Sequence, residues 1–430
     1  MKQQIKRVLK RLLNDKMLSY ARNVYIGMKE LKYSIVGVKG VLDINESLVQ
    51  EHCEFKQKDY HLFFGYYDLQ QIKNSKVLFH RVRKGANTKE DKCDIGWIDA
   101  NTGEIHQIAT TRTWCWQQGA RLRWSTMKND EVLFNNLHNN KYCTELWNIN
   151  SCKCIKRYAL PFYDINREMT YGVSLNYSRL QRLRPGYGYN VLPDDSIDEQ
   201  APANDGIYLY DITKDTSELI IPLSKLAEGV SSDDCQHYVN HVSFSPSGRS
   251  FMFFHLWTKG ETHNWSNRLC VSDLDGKMVS FDYDEWVVSH YDWKNDETIL
   301  VTECNLTSGE ARYVIYNTQD LTKTIIESPS LSRDGHPTWI TDTEFLTDTY
   351  PDANRIQRIF TGGKHEDDVQ IAKVYASPFW FGEKRCDLHP RITEDNSLIS
   401  FDCAKNGERS MILLKMNDNF KKEEGKPSNE

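Results

Sequence analysis

The chain is short of the features that would place it in most familiar enzyme classes. It has no uninterrupted apolar run long enough to span a bilayer, which argues against a helical membrane protein. Its N-terminus lacks the compact apolar core and small-residue cleavage site of a secretory signal, so a cytoplasmic location is expected, with membrane association left to residues 1–35. The 11 cysteines are odd in number and scattered. Cys152 and Cys154 lie close together, but no second pair completes a zinc pattern, and reduced, packed thiols are expected rather than a disulfide framework. No G-x-S-x-G elbow, phosphate-cradling GxxxxGK[ST] loop or dinucleotide fingerprint occurs, and the regular GH…WD signature of WD40 repeats is missing. A net charge of −6 and a pI of about 6.1 argue against general nucleic-acid binding.

What the chain has instead is repetition. From about residue 60, a strand, a polar turn and a second strand recur seven times. The copies are GYYDLQQIKNSKVLFHRV (65–82), GARLRWSTMKNDEVLFNN (119–136), PFYDINREMTYGVSL (161–175), HVSFSPSGRSFMFFH (241–255), HYDWKNDETILVTE (290–303), HPTWITDTEFLTD (336–348) and HPRITEDNSLISFD (389–402). A second hairpin follows each, as in IGWIDANTGEIHQI (95–108) and IYLYDITKDTSELII (207–221). Two hairpins make four strands, which is one propeller blade, and radial closure leaves few exposed edges. The fold class is therefore all-β, a seven-bladed β-propeller with a short N-terminal helical extension. The last copy supplies only RSMILLKMN (409–417), so its missing outer strand is expected from residues about 50–60.

Three segments are expected. Residues 1–45 form a basic amphipathic helical extension, 46–418 the propeller, and 419–430 a charged disordered tail. In the first segment Ile5, Val8, Leu9, Leu12 and Leu13 share a helical stripe between Lys2, Lys6, Arg7, Lys10 and Arg11. Such a helix lies on an anionic membrane surface or docks on protein.

Alignment of the units places His241, His290, His336 and His389 at one repeat position, the start of the innermost strand, hence around one mouth of the central channel. Second strands end at the same mouth with His255, Glu303, Asp348 and Asp402, and Asp387 lies two residues before His389. Imidazoles and carboxylates on one rim suit a divalent metal, Mn²⁺, Fe²⁺ or Zn²⁺; the alternative is structural histidines bonded to neighbouring blades. The long insertion NYSRLQRLRPGYGYNVLPDDSIDEQAPAN (176–204) rises from this mouth and offers Arg179, Arg182 and Arg184 with Tyr187 and Tyr189. These residues bind an anionic sugar, or they brace a lid by pairing with Asp194, Asp195 and Glu199. Trp116 and Gln118 precede the inner strand of the second unit, as a sugar platform or as packing between blades.

The stretches HVSFSPSGRSFMFFH, SHYDW, DGHPTW and DLHPR resemble oligogalacturonate lyases over about residues 235–415, and the first three blades do so loosely. The resemblance implies a cytoplasmic seven-bladed propeller with a manganese site of histidines and a glutamine. Where that family has a second ligand histidine this chain has Asp387, and Lys384 stands about where the glutamine falls. The implied activity is metal-dependent β-elimination on a uronate-containing oligo- or polysaccharide. His290, His336, His389 and Asp387 would hold the metal, manganese above the others. His241 or His255 would take the proton, and Arg182 or Arg184 would clamp the carboxylate. Two other expectations are a non-catalytic glycan- or protein-binding propeller in a surface-polysaccharide pathway and a hydrolase using Asp348 and Asp402.

Overall fold

The computed structural model describes residues 15–230, 234–259, 265–328, 331–363 and 369–421. Among these residues the strands form seven antiparallel sheets in chain order, the seven blades of a propeller. Blade 1 runs from Tyr60 to Thr111, blade 2 from Arg123 to Tyr158, blade 3 from Phe162 to Pro222, and blade 4 from Cys235 to Ser280. Blade 5 runs from Trp286 to Ile326, blade 6 from Thr338 to Tyr375, and blade 7 from Arg391 to Met416.

Burial follows position within a blade. The strand Ser250–Lys259 carries a continuous run of buried residues because both of its faces are covered by neighbouring blades. The outer strand Lys153–Tyr158 is almost entirely exposed or half-exposed. Each blade contributes one wedge to a core that runs around the ring rather than through a single centre.

The ring closes by pairing the chain's two ends. Val49–Phe55 lies antiparallel to Ser410–Met416 and supplies the outer strand of blade 7, with Val49 opposite Met416 and Phe55 opposite Met411. Leu42–Ile44 adds a fifth strand to the outer edge of blade 6 by pairing with Gln370–Tyr375. The chain thus enters the sheets at residue 42. After the last strand a short helical turn occupies Asp418–Lys421.

A helix, α1 (Asp15–Ile35), precedes the ring. It packs on blade 6 through Ile26, Glu30 and Tyr33, which are buried. The Tyr33 ring meets Tyr375 edge-on at 5.9 Å, and Glu30 Oε1 accepts a 2.6 Å hydrogen bond from Ser377 Oγ. The stripe expected from Ile5 to Leu13 and most of the expected tail lie outside the described residues. Among the described residues no helix is long and apolar enough to cross a membrane.

Candidate functional site

The equivalent histidines gather at one mouth of the channel, but only His336 and His389 sit just before their inner strands. His241 and His290 lie inside longer ones, Cys235–Phe244 and Trp286–Asn295, and not at the strand starts expected from the repeat. His241 and His389 have φ of 54° and 48°, a left-handed conformation that costs about 1 kcal/mol or more in a non-glycine residue. At His241 the strand register also slips between Asn240 and Ser243. These kinks turn the imidazoles off the regular pleat and into the channel.

Three of the four equivalent histidines touch. The rings of His290 and His336 lie 4.0 Å apart between centroids, and those of His336 and His389 lie 4.3 Å apart, nearly perpendicular. Asp387 joins them: ligating atoms of His336, Asp387 and His389 all lie within 4.8 Å of one another. The fourth histidine, His241, stands across the Tyr66 ring, which stacks on His241 at 5.1 Å and meets His389 edge-on at 4.8 Å.

Two of the imidazoles, those of His290 and His336, are held from behind by carboxylates. Asp348 Oδ1 is 2.7 Å from His336 Nδ1 and also accepts the His336 backbone N–H, while Oδ2 accepts that of His389. Asp334 Oδ1 is 3.0 Å from His290 Nδ1. Such partners fix the ring and leave Nε2 as the outward donor. Nε2 of His336 and of His389 is buried without a hydrogen-bond partner. A buried nitrogen left open costs about 1–3 kcal/mol, a cost that a bound ligand would remove. The donor set of two imidazoles and a carboxylate, with His290 alongside, fits a divalent cation.

Charge is arranged unevenly around this rim. Burial opposes the positive charge on His336, but Asp348 outweighs it and raises that pKa. Burial and the neighbouring His336 push His389 well below the usual histidine value. His241 is likewise pushed well below it, by burial and then by the Arg184 guanidinium, so its imidazole is neutral near pH 7.

The insertion covers this mouth. Its helix α2 (Tyr177–Leu183) is capped by Asn176, whose side chain accepts the Arg179 N–H. Beyond the helix, the Tyr187 ring approaches His241 at 5.9 Å and Tyr66 at 6.3 Å. Arg184 lies 4.9 Å over the Tyr187 ring, and its Nε and Nη1 are buried without a hydrogen-bond partner. Arg385 Nε bonds Asp387 Oδ2 at 2.6 Å and its Nη2 bonds the Tyr187 hydroxyl at 2.6 Å. Two larger cavities lie elsewhere: one of about 600 Å³ is bordered by Leu42, Val49, His52 and Asn417 at the outer strands of blades 6 and 7, and one of about 580 Å³ by Gln70, Lys73, Arg167 and Glu394.

Several expected site residues do other things. His255 faces His237 at 3.0 Å and receives a 3.3 Å contact from Arg268 Nε, inside blade 4 and apart from the cluster. Arg179 is 1% exposed and spends its guanidinium on the backbone carbonyls of His237, Ser196, Glu199 and Gln200. Arg182 bonds Asp194 Oδ2 at 2.8 Å, and Tyr189 stacks on Tyr177 while bonding Asn135. These three brace the insertion, as the lid alternative held. Trp116 packs among Trp114, Trp380 and the Arg409 guanidinium, so it is filling between blades and offers no sugar platform. Gln118 is no platform either, but it donates to the Tyr163 hydroxyl, which lies 3.4 Å from His241 Nδ1. Asp402 is occupied by the Phe64 and Gly65 N–H groups and by Arg391, and Asp348 by its histidines, so the two do not form a free catalytic pair.

Four residues of the rim were not singled out from sequence: Tyr66, Asp334, Arg385 and Tyr350, whose ring lies 5.7 Å from that of His336. Tyr66 occupies the histidine position of blade 1, three residues before the buried anchor Leu69, as His241 precedes Phe244. Asp334 and Asp387 each stand two residues before an HP dipeptide. Those signals were present in the repeat alignment. Arg385 has no counterpart in other units.

The fold and rim thus describe a seven-bladed propeller with a buried imidazole–carboxylate cluster at one channel mouth. The fold is similar to that of a solved oligogalacturonate lyase in complex with manganese, with a TM-score of 0.63 and 14% identity, over 88% of this chain and 97% of that one. It is also similar to an oligogalacturonate lyase from Vibrio parahaemolyticus, with a TM-score of 0.60 and 12% identity, over 89% of this chain and all of the other. At these identities the likeness is one of fold. No family model matches the chain, and a search of curated proteins finds no match.

Proposed function

We propose that the protein is a metal-dependent lyase that cleaves a uronate-containing oligo- or polysaccharide by β-elimination, acting in the cytoplasm. The observation that carries this reading is the pair of buried, unpartnered Nε2 atoms of His336 and His389 converging with Asp387. These three residues, with His290 beside them, would hold a divalent cation, and manganese is the metal found with the similar lyase. When bound, the cation supplies Lewis-acid polarisation of the substrate carboxylate, which acidifies the adjacent C–H.

The remaining chemistry belongs to side chains. Arg184 has two unpartnered donor atoms and lies beside Tyr187, placed to bind the carboxylate's anionic charge. The Tyr163 hydroxyl donates to Asn240 Oδ1 and accepts from Gln118 Nε2, so toward His241 Nδ1 it accepts a hydrogen bond rather than donating one. That leaves His241 Nε2 basic, next to the Tyr66 hydroxyl at 3.4 Å. His241 takes the proton from the carbon beside the carboxylate. The electron pair forms the ring double bond as the neighbouring carbon–oxygen bond breaks. Tyr66, kept protonated by burial, returns a proton to the departing sugar oxygen.

The test is incubation of the manganese-loaded protein with a panel of uronate oligosaccharides, following the ultraviolet absorbance of the unsaturated product. A rise that His336→Ala abolishes supports the lyase. Metal bound stoichiometrically, with no product across the panel, would assign the rim to a glycan-binding propeller instead.

A further inference from the structure

Helix α1 presents two apolar faces, and the ring covers only one. At about 100° per residue, Ile26 and Tyr33 point at blade 6 while Val24, Met28, Leu31 and Ile35 point directly away from it. Met28, Leu31 and Ile35 are 66%, 63% and 78% exposed, and Tyr20 beside them is 73% exposed. A run of large apolar side chains held this far into water marks a contact surface. On the opposite, ring-facing side Arg22 lies 5.2 Å over the half-exposed Phe381 ring.

Charge identifies what the surface meets. Residues 1–35 carry nine Lys and Arg against two carboxylates, Asp15 and Glu30, in a chain of net charge −6, so the remainder stands at −13. Glu30 is buried under the helix against Ser377. Lys32 and, further round, the half-buried Lys29 lie on one side of the exposed stripe, and no acidic residue lies on it. Two such helices side by side would set lysine against lysine with no compensating Glu, which disfavours a second copy. An apolar stripe edged by lysine and tyrosine suits the interface of a bilayer with anionic headgroups.

We infer that α1 docks the propeller peripherally on an anionic lipid bilayer through Tyr20, Val24, Met28, Leu31 and Ile35, with Lys29 and Lys32 on the headgroups. This holds whether or not the rim turns over a uronate. The contact also lies near the chemistry. Ser377, which anchors Glu30, and Phe381 belong to the segment that runs from blade 6 to Arg385, Asp387 and His389.

The experiment is co-sedimentation of the full chain with vesicles of phosphatidylcholine alone or mixed with phosphatidylglycerol, at low and high salt, beside sedimentation velocity of the protein alone. Binding to the anionic vesicles should be at least about tenfold stronger than to the neutral ones and should weaken with salt. Met28→Glu with Leu31→Glu should reduce it about tenfold or more while leaving the thermal midpoint unchanged, since both side chains are exposed. Lys29→Gln with Lys32→Gln should reduce it less and remove part of the salt dependence. Equal or absent binding to the two vesicle types overturns the inference, as does binding that the double Glu variant retains. A stable dimer that the Glu variant dissociates assigns the stripe to a second copy.

Discussion

Two pairs of buried histidines in this ring look alike in sequence and differ in what they leave open. In blade 4, His237 and His255 lie face to face, Nδ1 to Nε2 at 3.0 Å, with Arg268 against the second ring. Between blades 6 and 7, His336 and His389 meet edge-on and each keeps an unpartnered, buried Nε2. His80, in blade 1, is a third case: Nδ1 lies 2.8 Å from the Phe64 carbonyl and Nε2 accepts the Ala120 N–H at 2.9 Å. An imidazole whose nitrogens are both occupied is structural. His336, whose Nδ1 is held by Asp348 while Nε2 stays open, is built to receive something, and the open Nε2 of His389 faces the same space.

The contrast can be broken most sharply by exchanging the two pairs' fates. His336→Ala should abolish metal binding and lower lyase activity more than about a thousandfold, whereas His255→Ala should keep the metal and stay within about threefold. Metal analysis and turnover on both variants check this, and loss of metal in both would erase the distinction. Next in size is Arg184→Gln, expected to lower activity about a hundredfold with metal content unchanged, because a charged hydrogen bond to substrate is lost. Asp348→Asn should weaken metal affinity about ten- to hundredfold without unfolding the ring. An amide oxygen still accepts the His336 N–H, but the amide nitrogen then faces the His389 N–H, so thermal denaturation beside metal titration separates that structural cost from the loss of the imidazole's carboxylate.

The smallest effect concerns the structural side. Burial lowers the His80 pKa to about 3, so the unfolded chain binds a proton there that the folded chain refuses. Stability from this group is complete above about pH 6.5 and falls as pH drops toward 3, by up to about 1.4 kcal/mol per pH unit. His80→Gln should flatten that slope between pH 6 and 4 in denaturant titrations while metal binding at pH 7 is retained. An unchanged slope would show that His80 is not among the groups that couple folding to acid.

Much of the architecture was legible in the repeat. Seven hairpin pairs, the histidine register and the need for an outside strand in the last blade are all local patterns, and Val49–Phe55 closes the ring near where that need pointed. The insertion was legible as a cover but not in its parts. Arg179, Arg182 and Arg184 fall within six residues, yet two brace the insertion and one turns to the rim. Their partners include Gln236 for Arg182, the His237 carbonyl for Arg179 and Tyr187 for Arg184. Nothing within the insertion's own spacing distinguishes them.

The sequence by itself determined the number of blades, the mouth at which the imidazoles gather and the helix that precedes the ring, because hydrophobic period and turn chemistry act between near neighbours. Only the tertiary structure decided which nitrogens are used up and which guanidinium is unspent. A buried polar atom is satisfied by whatever group packing brings within about 3 Å. In a closed ring that group often comes from a distant part of the chain, as Tyr66 does for His241 and Tyr187 for Arg385.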